Sequence, residues 1–498
     1  MSSDYDVIVV GFGFAGGIAA IEAHDSGVRV LLIDKQLDPG GISVCSAGGV
    51  RIAGDADAAF AYLVATNAGT APEPLLRVLA EGMTGLADYV RGLAAPCEAA
   101  VGIRESPANY PLPGYETFGF AYVDDIPGFD PVKAYPQVRG SPAGALLFRL
   151  VEAAVARRPG IEVRLGCRAR RLVRGADGTG IEGVALDRET VTARRGVVLA
   201  CGGFESDPEM QRQTWQLKPV LSAAVRQHTG DGVRMAQAVG AGLWHMWHFH
   251  GSYGFRDPDP AYPFGIRVKR LPDWIPGHGL REDVVMTWIL VDQTGRRFMN
   301  EYEPYMQDTG HRPFEVFDTV TQTAPRVPAF LVTDEPGRRR YPLTAPTWHD
   351  REVAARFGAE TPAARDARIL RSAPSLAALA EDFGIPGAAL ERSVANWNAA
   401  CEAGGDADFG RPPGSMMPIA TAPFHGAAVW PVVSNTQGGP MHDERQRVLD
   451  AFGAPIPGLF AAGELGSVFG HLYMSGGNLA ECFVGGRIAG CGAAGIEG

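Results

Sequence analysis

The sequence contains no C-x-x-C pair, and its seven cysteines (45, 97, 167, 201, 401, 482 and 491) are scattered. An odd, dispersed set gives neither a disulfide framework nor a zinc spacing, and it fits a reducing cytoplasm. Positive charge is also short. Lys and Arg number 45 against 56 Asp and Glu, a formal balance of −11, which argues against nucleic acid or an anionic membrane surface as a partner. No transmembrane segment is expected, because the one apolar run near the N-terminus is too short and is broken by Gly11, Gly13, Gly16 and Gly17. The leading Met-Ser-Ser-Asp-Tyr-Asp is acidic rather than basic, so it does not read as a signal peptide. Internal repeats and low-complexity tracts are lacking. What is left is an ordinary globular composition, 46% apolar and 20% charged, in 498 residues: enough for two or three domains around a large core.

Within that composition the first organised stretch is N-terminal. Val7 to Val10 is an apolar, β-branched run, as a buried parallel strand requires. Gly11, Gly13 and Gly16 follow as G-x-G-x-x-G, then a helical stretch ended by Gly27, then a second strand closing on Asp34. This is a βαβ unit. Its glycines allow a tight turn and close approach to a pyrophosphate at the helix N-terminus, and the acid reaches a ribose diol. A second Gly/Ser segment, residues 38–50, follows and contains no histidine, so no covalent flavin linkage is expected there.

Further along, residues 55–95 read as helices, and 104–136 as a long aromatic, Pro- and Gly-rich loop. Ser141-Pro142 reads as an N-cap with proline at N1. Residues 162–200 alternate like strands, with turns at Asp177-Gly178 and around Arg188. Arg168, Arg170 and Arg174 read as one solvated strand face, and Arg338 to Arg340 as a solvated loop. Thr229-Gly-Asp-Gly opens a helix ending at Gly240. His245, His248 and His250 match no metal-binding spacing and read as core or pocket-lining residues; no metal site is expected. Residues 255–280 look like a domain crossing, 376–401 like a helical pair and 403–416 like a linker. The last motif, Ala461 to Gly490, sets Glu464 and a Tyr-Met-Ser-Gly-Gly-Asn turn before an apolar helix, a junction that presents backbone N–H groups to an electron-rich ring.

GFGFAG with Asp34, GGISVCSAGG, GVVLACGGFESDPEM, TGDGVRMAQAVGA, GRRFMNE, TQGGP, PIPGLFAAGE and SGGNLAECFVGGRIAG lie in one order along nearly the whole chain. Together they resemble the fumarate reductase/succinate dehydrogenase flavoprotein superfamily, including the 3-ketosteroid dehydrogenases. The resemblance implies an α/β fold. A discontinuous Rossmann-like FAD-binding domain (1–280 and 416–498) would carry an inserted α+β catalytic domain (281–415), with FAD held non-covalently. It places the cofactor against Gly11, Gly13, Ala15, Gly16, Asp34, Lys35, Gly41, Ser43, Ser46, Gly48 and Gly49. On later segments it adds Ala169, Cys201, Gly202, Gly203, Asp231, Glu464, Gly477, Asn478 and Leu479.

The dicarboxylate members of that superfamily carry an arginine four residues after the glutamate of R-F-x-N-E, a histidine before T-x-G-G, and an arginine before the last G-G. Here those positions are Tyr305, Asn435 and Met474. Burying two carboxylates without such clamps is costly, which argues against fumarate or succinate. Tyr305 and Tyr473-Met474-Ser475-Gly476 instead resemble the 3-ketosteroid Δ4-(5α)-dehydrogenases, although Gly477-Asn478 stands where those enzymes tend to have Thr-Ser. The expected chemistry is dehydrogenation of an apolar cyclic ketone or steroid. Tyr305, Tyr473 and Ser475 would be catalytic, N–H groups at Ser475 to Asn478 would hold the enolate oxygen, and the electron acceptor is left open. The alternatives are the reverse reaction, an ene-reductase of an enone or unsaturated acid, and a non-catalytic flavin subunit relaying electrons.

Overall fold

The computed structural model of the chain describes residues 5–176, 178–272, 284–302 and 304–496. The N-terminal Met1 to Asp4, Asp177 of the expected turn, and residues 273–280 of the expected crossing lie outside the described residues.

Strand β1 (Tyr5–Val10) leads through the glycine turn into helix α1 (Phe14–Asp25) and back along strand β2 (Val30–Ile33). Both faces of β1 are covered, which is why its residues are apolar without interruption. Val7 and Val9 face a core shared with α1 and the last helix, while Ile8 and Val10 face a second core shared with the other large sheet. Across the first sheet the order is Arg447–Leu449, Pro455–Ala461, Thr190–Leu199, β1, β2, Ile161–Arg164. All neighbours are parallel except at the Arg447–Leu449 edge. The chain therefore turns from one half of the sheet to the other beside β1, and ligands of such sheets sit at the carboxyl ends of the strands at that switch. The last helix, Gly477–Ala493, lies on α1. Its glycines make this possible: a Cβ on Gly490 would fall 2.4 Å from the Ala19 carbonyl oxygen.

The second large sheet is mostly antiparallel and is built around the long strand Phe424–Thr436. Phe249–Arg256 and Ala329–Asp334 flank it, and Gly265–Val268 follows Phe249–Arg256. Strands from before residue 281 and after residue 415 thus share this sheet with strands between them, so the expected boundaries do not follow the sheets. The 403–416 stretch is anchored rather than a free linker. Arg411 is fully buried and donates to the carbonyls of Met286 and Trp288 and to the Glu301 carboxylate. Glu301, the acid of the R-F-M-N-E motif, also accepts the Leu290 N–H and Arg297. A buried carboxylate with this many donors acts as a structural keystone.

Two other segments differ from expectation. Much of the supposed 104–136 loop is sheet: Phe118–Asp125 pairs with Ala100–Glu105 on one side and with Val50–Ala53 on the other. The alternation of Phe118, Phe120 and Tyr122 was the period-two signal of that strand. Arg338 to Arg340 end a short helix, Glu335–Arg340, in which Arg338 and Arg339 pair with Glu335 one turn back. Among the described residues no helix is long and apolar enough to cross a membrane.

Candidate active site

The carboxyl ends of β1, β2 and Thr190–Leu199 open into one cavity of about 730 Å³, within the roughly 300–1,000 Å³ typical of ligand sites. At one end stands Asp34. Its carboxylate accepts the N–H groups of Phe12 and Gln36, each at 2.8 Å, and still faces the cavity with lone pairs to spare. Burial raises its pKa, and the two N–H donors oppose that rise. Beside it, Lys35 and Arg168 grip Asp231 at 2.8 Å each, and together they hold the Asp231 carboxyl below its usual range against the effect of burial. Arg168 is therefore a cavity residue, while Arg170 and Arg174 bond to Asp187 and to backbone carbonyls.

In the middle of the cavity Gly13 precedes α1 and has no side chain to cap it; the Phe14 N–H goes to Ser43 Oγ at 3.1 Å, and Gly13, Phe14 and Ala15 line the space. A Cβ on Gly16 would fall 1.8 Å from the Gly11 carbonyl oxygen, so that glycine closes the turn. A buried acid with room for a ribose diol and a glycine-flanked helix N-terminus for a pyrophosphate form a donor and acceptor set of the kind FAD requires, and the residues fit the cofactor.

The other end of the cavity is aromatic and polar. Tyr305 and Tyr473 are buried there with His250 between them. The His250 ring centroid is 4.2 Å from that of Tyr473 and 6.1 Å from that of Tyr305. Beneath them Asp308 is fully buried. It accepts the Tyr110 hydroxyl at 2.5 Å and the Tyr473 N–H at 3.0 Å, and its second oxygen lies 3.7 Å from His250 Nδ1. Burial alone would raise the Asp308 pKa, but His250, His248 and Arg312 hold it well below the carboxylate range. Burial lowers the His250 pKa, and Asp308 opposes that fall.

Tyr473 also faces the start of the last helix. Its hydroxyl oxygen accepts the Asn478 N–H at 3.4 Å. Burial pushes its pKa up, while the Asn478 N–H, Arg51 and the Gly476 N–H pull it down. The expected oxyanion hole differs accordingly. The Ser475 N–H is donated to Asn109 Oδ1 and the Gly477 N–H to the Met474 carbonyl, each at 2.9 Å. Asn109 comes from the loop before Phe118–Asp125, and no local signal in the sequence ties it to Ser475.

All of the expected catalytic and cofactor positions line this cavity except Gly16, Gly48, Gly203 and Gly477. Those four make close contacts behind it. A Cβ on Gly48 would meet the Ala143 backbone at 2.3 Å, one on Gly203 the Thr436 Oγ1 at 1.8 Å, and one on Gly477 the Phe469 ring at 2.6 Å. Of the three clustered histidines, His245 and His248 bond to the carbonyls of Ser467 and Phe469 at 2.6 Å, and His250 lines the cavity. A set that sequence reasoning did not assemble is Glu205, His228 and Glu464. His228 Nδ1 lies 2.5 Å from Glu205 and 3.8 Å from Glu464, and the three are close enough to hold a metal ion. Burial and the nearby Glu205 raise the Glu464 pKa.

Comparison with known proteins agrees with this geometry. The family described as "FAD binding domain" matches residues 6–479. Digoxin reductase of Eggerthella lenta is 28% identical over 99% of this chain and 87% of its own length. 4-Oxocyclohexanecarboxylate 2-dehydrogenase of Sinomonas cyclohexanicum is 29% identical over 93% of this chain and 87% of its own. The structure of 3-ketosteroid delta1-dehydrogenase from Sterolibacterium denitrificans superposes with a TM-score of 0.80 at 24% identity, covering 99% of both chains. The chain therefore belongs to the FAD binding domain family, as an FAD-dependent oxidoreductase of the fumarate reductase and 3-ketosteroid dehydrogenase kind that acts on CH–CH groups.

Proposed function

We propose that the protein dehydrogenates a cyclic ketone, a 3-ketosteroid being the expected kind, and introduces a ring double bond conjugated to the ketone. The observation that carries this reading is the grouping of Tyr305, His250 and Tyr473 at one end of the cofactor cavity. Neutral hydroxyl and imidazole groups suit a ketone, which has no charge to neutralise. The name of one relative, a 4-oxocyclohexanecarboxylate 2-dehydrogenase, describes the same chemistry on a cyclic ketone.

In this reading Asp34 and the α1 N-terminus hold the ribose and pyrophosphate, and Gly49, Ser475 and Leu479 border the reacting end. Tyr473 donates its hydroxyl proton to the ketone oxygen. Because that hydroxyl already accepts the Asn478 N–H, it is polarised and becomes a better donor. The carbon next to the ketone becomes acidic, and Tyr305 takes its proton as the Tyr305 hydroxyl proton passes to the neighbouring His250, which Asp308 borders. FAD bound in the cavity would supply the acceptor for the hydride of the neighbouring carbon. The same groups serve the reverse reaction.

The seven cysteines are all unpaired, which supports a place in the reducing cytoplasm. The test of function is an anaerobic panel of 3-ketosteroids and simple cyclic ketones, read as loss of flavin absorbance. Bleaching by at least one saturated ketone is expected. No bleaching by any of them would overturn the reading and favour an electron-relay role.

A further inference from the structure

We propose that the ketone oxidised here carries a single carboxylate and that Arg267 receives it; this rests on the cyclic-ketone reading above. Arg267 lies on Gly265–Val268 and lines the cavity. Its guanidinium donates to Ser434 Oγ at 3.1 Å and to Thr347 Oγ1 at 2.9 Å, both neutral acceptors. Among the described residues it forms no ion pair with any acid. Arg270, a charge of the same sign, also lines the cavity and acts on it electrostatically.

The described acids on the cavity wall are engaged or placed elsewhere. Asp34 takes two backbone N–H groups, Asp231 is held by Lys35 and Arg168, Glu464 accepts the Thr436 N–H, and Glu105 is exposed at the end of Ala100–Glu105. A guanidinium has five N–H donors in a fork that matches a carboxylate, and only two of them are used here. A largely enclosed arginine without a counter-ion is costly, and a ligand carboxylate would supply the missing charge.

The position of the charge narrows the substrate. Ser434, which accepts from Arg267, adjoins Asn435, and Asn435 is the cross-strand partner of His250. The anion therefore sits beside the reacting end and not at the ribose end near Asp34. The loss of the dicarboxylate clamps at Tyr305, Asn435 and Met474 removes two-carboxylate recognition, and Arg267 restores recognition for one. The substrate class is a ring ketone with one carboxylate close to the ring, which narrows the cyclic-ketone reading away from an uncharged steroid.

A matched pair tests this: 4-oxocyclohexane-1-carboxylate against its methyl ester. The wild-type enzyme should favour the acid in kcat/KM by roughly 10–100-fold, and Arg267→Gln should remove that preference while keeping its FAD. Equal kcat/KM for acid and ester in the wild type overturns the proposal and leaves the ketone reading standing. So does an Arg267→Gln enzyme that keeps its FAD and still favours the acid, because the arginine would then not be what receives the carboxylate. A binding measurement stands apart from turnover and from the folding of the variant. Cyclohexanecarboxylate, which has no ketone, should perturb the wild-type flavin spectrum, and its methyl ester should not. A carboxylate that leaves the spectrum unchanged also overturns the proposal.

Discussion

The ring of His250 lies 4.2 Å from that of Tyr473, tilted by 51°, and both line the cavity. One residue stands behind both: Asp308 accepts the Tyr473 N–H at 3.0 Å and lies 3.7 Å from His250 Nδ1. A single buried carboxylate thus borders both side chains. Tyr305 follows from the same source, because it caps the short helix Met306–Thr309 on which Asp308 sits.

Changing Tyr305 or Tyr473 to Phe removes a hydroxyl and keeps the ring. FAD content and the fold should survive, because neither hydroxyl lies at the Asp34 end. Turnover of a bleaching ketone should fall by ~10²–10⁴-fold, the usual worth of general acid–base catalysis. Stopped-flow reduction of the flavin measures this directly. If both variants reduce at the parent rate, the tyrosines only pack.

How much of this was legible in the sequence depends on sequence distance. The βαβ unit was, because strand, glycine turn, helix and acid lie within thirty-odd residues and each has its own local signal. Tyr305 and Tyr473 were, because each stands inside a recognisable motif. The ties that organise the reacting end were not. Tyr110 meets Asp308 from 198 residues away, and Ser475 meets Asn109 from 366. No periodicity encodes such pairs. Arg267 carried no motif at all, and its interest comes from the lack, among the described residues, of an acid paired with it, which only the folded arrangement shows. The strand of Phe118, Phe120 and Tyr122 was readable, but the prolines and glycines around it outweighed its alternation.

FAD should be released on acid precipitation, leaving the yellow colour in the supernatant. Residues 35–50 contain no histidine to form a linkage. The thiols of Cys45 and Cys201, which do line the cavity, are pushed up to about 12 by burial and are poor nucleophiles. Colour retained on the protein pellet would reverse this conclusion.

Asp34→Ala should weaken FAD. The lost acceptor is charged, and hydrogen bonds to a charged group are worth about 1.5–3 kcal/mol each. A ten- to hundred-fold rise in the FAD dissociation constant is a conservative expectation, roughly one or two factors of ten at about 1.4 kcal/mol per factor. Circular dichroism of the apoprotein separates this from unfolding, because the Phe12 and Gln36 N–H groups also lose their acceptor. An unchanged dissociation constant would mean that Asp34 serves the turn and not the ribose.

Glu481 makes the stability of the protein depend on pH. Its carboxyl is fully buried and pushed up to about 7 by burial, against the opposing donors Ser467, Val468 N–H and Asn478. In the unfolded chain a glutamate titrates near 4.3. Below about pH 4 both states hold the proton, and Glu481 adds no pH dependence. Between about 4.3 and 7 the unfolded state releases its proton while the folded state keeps it, so folding loses stability as pH rises. Above 7 both are ionised and the loss is constant, on the order of a few kcal/mol. Glu481→Gln cannot ionise, and its carbonyl can still accept the Val468 N–H. The difference in Tm between the variant and the parent should therefore grow in the variant's favour from pH 4.5 to 7 and level off beyond it. All other titrating groups are common to both proteins and cancel in that difference. A Tm difference that stays constant from pH 4.5 to 8 would show that Glu481 is ionised throughout, its three donors outweighing its burial.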